Sequence, residues 1–116
     1  MVIKLSFADL NIEQKKIGDD ILITVSGGEK PHIGCCVLAV PRPSLTGDGT
    51  VSATSSILNV TGHKDEFICR KLAEKAAAEY GCTVVCTGGF HMDHITPEQI
   101  KEVLEALENS KERQTY

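Results

Sequence analysis

Residues 2–7 alternate apolar and polar side chains with the period of two that sends successive residues to opposite faces of a strand. A second strand is predicted over residues 21–26, where Ile-Leu-Ile-Thr-Val-Ser is β-branched and apolar. Residues 33–40 form a nearly unbroken apolar run, which predicts a central strand with both faces covered. Residues 50–60, rich in Ser, Thr and Val, predict a strand with one wetter face. The connector before it, Pro41-Arg42-Pro43-Ser44-Leu45-Thr46-Gly47-Asp48-Gly49, is turn chemistry, with Pro ending one strand and Gly admitting positive φ.

The period then lengthens. Phe67, Ile68, Leu72, Ala76 and Tyr80 recur at near-helical spacing, with Asp65 as N-cap and Gly81 at the C′ position. Residues 82–87 read as a short buried strand. Thr96-Pro97-Glu98-Gln99 is a capping box with Pro at the first helical position, and it opens a second helix whose apolar face is Ile100, Val103, Leu104 and Leu107. From about Asn109 the chain is a polar tail. The predicted fold class is α+β, in the order ββββαβα: one domain spanning 1–116, with a mixed, mostly antiparallel sheet and two helices on one face.

Composition narrows the choice. A chain of 116 residues has room for one ordinary core, and 41% hydrophobic with 24% charged residues excludes disorder as the default. The longest apolar runs fall far short of the roughly 20 residues that span a bilayer. The strand-like first residues lack the pattern of a signal peptide, so a soluble cytoplasmic protein is expected, without membrane contact. A net charge of −4 and a pI near 5.5 argue against nucleic acid as a partner. Five cysteines, odd in number and without a C-x-x-C spacing, read as reduced, buried thiols.

The four histidines carry the candidate chemistry. His32 precedes the third predicted strand and His63 follows the fourth. If those strands form a hairpin, both histidines lie at the end away from the Pro/Gly connector. A right-handed crossover through the first helix makes the next strand parallel to the fourth. It therefore releases Gly88-Gly89-Phe90-His91-Met92-Asp93-His94 at the same rim. Neutral imidazoles with a carboxylate (His32, His63, His91, Asp93, His94) are the ligand types of a divalent transition metal. The same groups move protons near neutral pH, with His63, Asp65 and His91 as the catalytic candidates. Gly28, Gly62 and Gly89 allow backbone N–H groups to approach an anion, beside His32 and Lys64. Arg42 lies in the opposite loop and cannot reach this rim within one subunit. Phe90 is the aromatic ring available there for stacking, and core packing is its competing use.

Five segments in order carry a resemblance. They are Gly-Gly-Glu-Lys-Pro-His-Ile-Gly (27–34), Pro-Arg-Pro-Ser-Leu (41–45), Ala-Thr-Ser-Ser (53–56), Gly-His-Lys-Asp (62–65) and Thr-Gly-Gly-Phe-His-Met-Asp-His-Ile (87–95). Together, over residues 27–100, the chain resembles the LpdD-like proteins, the small D subunit of gallate-type and hydroxyarylic acid decarboxylases. The resemblance implies a fold like that of proteasome-assembly chaperones, commonly dimeric. It implies a protein that binds prenylated FMN (or FMN) and acts as its chaperone or maturation factor. The partner implied is the large subunit of a UbiD-type decarboxylase, so this chain is expected to be an accessory subunit and not itself the decarboxylase. Carried over by motif, His32, His63, Lys64, Asp65, His91 and Asp93 line the site, and Arg42 and Ser44 contact phosphate from the second subunit of a homodimer. Cys35 and Cys36 depart from the small apolar residues expected in the family at these positions. Two other readings of the residues stay open: a small metal-dependent enzyme with a His/Asp site, and a ligand-free assembly protein.

Overall fold

The computed structural model describes residues 1–45, 47–60 and 66–109, which form a single α+β domain. Six strands and two helices follow in the order β1 (Val2–Lys4), β2 (Asp9–Ile17), β3 (Asp20–Gly28), β4 (Cys35–Pro43), β5 (Val51–Asn59), α1 (Glu66–Tyr80), β6 (Val84–His91) and α2 (Pro97–Asn109). Among the described residues no helix is long and apolar enough to cross a membrane.

One strand more is present than the hydrophobic pattern suggests. β2 buries only Leu10 and Ile12 and is otherwise polar, so its alternation is faint. Its hairpin with β3 turns on Gly18-Asp19, with Gly18 at φ 60°, a two-residue connection whose twist suits antiparallel strands. The predicted first strand is cut short, because Leu5 N–H donates to the Ala8 carbonyl and reverses the chain.

The strand order is β1-β2-β3-β6-β4-β5. β6 is parallel to β3 and antiparallel to β4, and β4 is antiparallel to β5. β6 therefore runs in the direction of β5, as a crossover demands, but it inserts between β3 and β4. It is also longer than expected: Gly88, Gly89, Phe90 and His91 belong to the strand and not to a loop.

Both helices contribute to a single core, with Ile23, Val25, Val37, Val84 and Cys86 from one face of the sheet. α1 buries Ile68, Cys69, Ala73, Ala76 and Ala77. The inward strip is thus smaller and slightly rotated from the Phe67–Leu72–Tyr80 stripe of the sequence, and Tyr80 is exposed. Small residues let the helix axis approach the sheet closely. Gly81 ends α1 at φ 64°, its N–H donating to Ala77. α2 begins with the predicted capping box: Gln99 N–H donates to Thr96 Oγ1 at 3.1 Å, and Thr96 N–H donates to Gln99 Oε1 at 3.0 Å. Val103 and Leu107 are its buried residues, with Ile100 and Leu104 half-buried.

Among the described residues, the other face of the sheet is open. The expectation that the third predicted strand is covered on both sides is corrected here, since Leu38 and Val40 of β4 are 44% and 40% exposed while Val37 and Ala39 are fully buried. The paired positions Thr24, Thr87, Cys36 and Leu58 share the open side. All five cysteines are free, with Cys35, Cys69 and Cys86 buried.

Candidate functional site

Parallel pairing of β3 with β6 sets Gly27 beside Phe90 and Gly28 beside His91, and Cys35 at the start of β4 lies opposite Gly88 and Asn59. The carboxyl ends of β3, β5 and β6 and the amino end of β4 therefore share one rim. Glycine makes this approach possible. Gly88 is at φ 133°, and a Cβ there would overlap the Val25 carbonyl oxygen. Gly28, at φ 77°, is held in the same way against the His91 carbonyl. Both glycines serve close strand contact, and Gly28 is also one of those expected to let backbone N–H groups approach an anion.

Past the strand ends the backbone is clamped by Glu29. Its N–H donates to the His91 carbonyl at 2.7 Å, and its carboxylate accepts the Asp93 N–H at 2.7 Å. Asp93 in turn lies 2.9 Å from His91 Nε2 through Oδ1. The carboxylate accepts, so Nε2 carries a proton at this contact. His32 Nδ1 is 2.9 Å from the Lys30 carbonyl, which can only accept, so Nδ1 carries a proton at this contact. The His32 ring lies directly over Gly89, where a Cβ would come within 2.8 Å of Cε1. It meets the His91 ring edge-on, with centroids 5.9 Å apart and planes at 81°.

Around these rings is a cleft of about 600 Å³ lined by Glu29, Lys30, Pro31, His32, Ile33 and His91. It combines one cation, one carboxylate, two imidazoles and apolar surface from Pro31 and the exposed Ile33. Such a lining can meet a ligand that has a flat apolar part and an anionic part. The imidazole–carboxylate pair can also take or give a proton.

The other described sequence candidates do not line the cleft. Gly62, His63, Lys64 and Asp65 lie outside the described residues; the last described residue before them, Val60, donates its N–H to Gly34 at this rim. His94 is exposed in the turn before α2, at φ 57°. Among the described residues no three His, Cys, Asp or Glu side chains come together to hold a metal ion. Phe90 points to the helix side of the sheet, buried edge-on against Phe7 with centroids 6.1 Å apart. Its ring is part of the core and does not line the cleft.

Arg42, near the far end of β4, and Ser44, just past it, are about 23 Å and about 30 Å from Cys35 at strand rise. Arg42 Nε donates to Thr54 Oγ1 at 2.8 Å, and Arg42 and Ser44 border a separate cleft of about 530 Å³ with Pro41, Pro43, Gly47, Thr50 and Gly81. The clamp by Glu29 and the lining by Lys30 and Ile33 were not singled out by the sequence reading. Their mark in the sequence is the segment 27–34, which contains all three and carries the resemblance.

A six-stranded sheet with one helix-covered face, one bare face and an imidazole cleft at its rim is the framework of a small binding domain. Comparison with known proteins gives it a family. Residues 6–114 match the prenylated flavin chaperone LpdD-like domain, and the chain belongs to that family of chaperones. It is 36% identical over 86 residues to Protein LpdD of Lactiplantibacillus plantarum, an alignment that covers 72% of this chain. The same alignment spans 58% of that curated relative's length.

Proposed function

We propose that this protein binds prenylated FMN, or FMN, in the cleft at the rim of the sheet and delivers it to the large subunit of a UbiD-type decarboxylase. The flavin carries the decarboxylation chemistry when it is bound to its enzyme. This chain holds and shields it. The observation that carries the reading is the pairing of His32 and His91 beside Lys30 and Ile33 in a cleft of about 600 Å³. That volume falls within the roughly 300–1,000 Å³ typical of small-molecule sites. Lys30 supplies a cation for the phosphate end, and Pro31 and Ile33 supply apolar surface for the ring system. Each imidazole has one ring nitrogen 2.9 Å from a protein oxygen, which fixes the orientation of its ring at the cleft wall.

The test is a titration of the purified protein with prenylated FMN, followed by visible absorbance. A dissociation constant below about 100 µM, or roughly 5.5 kcal/mol of binding, is expected. His32→Ala and His91→Ala should each weaken it about tenfold, or about 1.4 kcal/mol. No binding at 100 µM, or unchanged affinity in both variants, would overturn the assignment of the cleft.

A further inference from the structure

The parallel ladder of β3 and β6 ends at the pair Gly28 and His91. The Glu29 N–H adds one more rung by donating to the His91 carbonyl at 2.7 Å. The rung after it is made by a side chain, because the Asp93 N–H donates to Glu29 Oε1 at 2.7 Å. His94 follows at φ 57°, a left-handed conformation uncommon for a residue with a Cβ. The chain is fixed again at Thr96, by the capping box of α2. Glu29 thus holds the backbone at the point where it turns out of the sheet.

This hold reaches the cleft in series. Fixing the Asp93 backbone fixes the origin of its own carboxylate, and Asp93 Oδ1 lies 2.9 Å from His91 Nε2. The His91 ring so oriented meets His32 edge-on, with centroids 5.9 Å apart. We infer that Glu29 is the positioning residue of the cleft: by accepting the Asp93 N–H, its carboxylate sets the His91 ring in the orientation in which it lines the site. The consequence for affinity rests on the flavin reading; the placing of the ring does not.

A different role would leave a different trace. Glu29 borders the cleft beside Lys30, so a carboxylate that met the ligand itself would act through its charge. Glu29→Gln separates the two, since the amide keeps an oxygen that can accept the Asp93 N–H and carries no charge. A bond to a charged acceptor is the stronger kind, but Glu29 is exposed, so water competes for it and the effect of losing it is moderate.

The histidine ring resonances of the full chain, recorded without flavin at about pH 8 where free imidazoles are neutral, test the placing of the ring. Glu29→Ala should move the His91 signals, and Glu29→Gln should leave them near their wild-type positions, with circular dichroism confirming that both variants fold. Titration with prenylated FMN then reads the consequence. Glu29→Ala should weaken binding about three- to fivefold, less than the loss in His91→Ala. In a His91→Ala background the same substitution should change affinity by less than about 1.5-fold, because its effect passes through that ring. His91 signals that stay in place in Glu29→Ala, or that move equally in Glu29→Gln, would overturn the inference. So would a loss of affinity that persists undiminished in the His91→Ala background, which would make Glu29 a direct contact. A wild-type chain that binds no flavin would defeat the flavin reading alone, since the ring signals are read without it.

Discussion

At the scale of single residues, adjacent glycines of β6 have different duties. Gly88 has no room for a side chain because backbone, the Val25 carbonyl, occupies the place. Gly89 has no room because the His32 ring and carbonyl occupy it, and a ring can move. Gly88→Ala is therefore expected to cost more than about 3 kcal/mol by urea unfolding, through strain at a positive φ and a backbone clash. Gly89→Ala should cost about 1 kcal/mol. It should also shift the His32 ring resonances and weaken flavin binding several-fold. Equal losses of stability for the two would contradict this division. The glycines are plain in the sequence, but whether a neighbour is backbone or side chain depends on a strand 60 residues away.

At the scale of elements, α2 is attached to the rest of the domain by more than its buried Val103 and Leu107. The Glu102 carboxylate accepts the Ser6 hydroxyl at 2.7 Å and the Ser6 N–H at 2.6 Å. Those two bonds hold its carboxyl below the usual range. A carboxyl with a depressed folded-state pKa stabilises the fold above its unfolded value, near 4.3, and loses that contribution as pH falls through the folded value. Hydrogen exchange in α2 should therefore accelerate below about pH 4 before α1 is affected. Glu102→Gln should remove that acid dependence, and an α2 whose exchange remains equally acid-sensitive in this variant would refute the role of the contact. The helix and its cap were legible, since Thr96 to Gln99 form a local pattern. The long-range anchor was not, because it joins residues 96 positions apart.

At the scale of the whole molecule, the sheet separates a packing side from the side that carries the cleft, and consecutive residues of β6 face one each. Phe90 faces the core and His91 faces the cleft. Phe90→Leu should lower stability by about 1–2 kcal/mol, a loss of packing volume alone, and leave the affinity for prenylated FMN unchanged. A fall in affinity beyond about threefold, with the fold intact, would place the ring on the ligand side after all.

Local periodicity was sufficient for most strands and both helices, because the alternation of polarity and the capping residues act within a few positions of one another. With a hairpin and a right-handed crossover added, it also placed His32, before a strand, and His91, after one, at the same rim. β2 escaped because only two of its residues are buried, although Gly18-Asp19 is a recognisable hairpin connection. What tertiary structure alone decided is the insertion of β6 between β3 and β4, the uncovered face, and which side Phe90 takes. Each depends on which strands neighbour one another and which side of the sheet receives the helices. An apolar run reads the same whether one or both of its faces are covered, so that choice is made only when the whole chain packs.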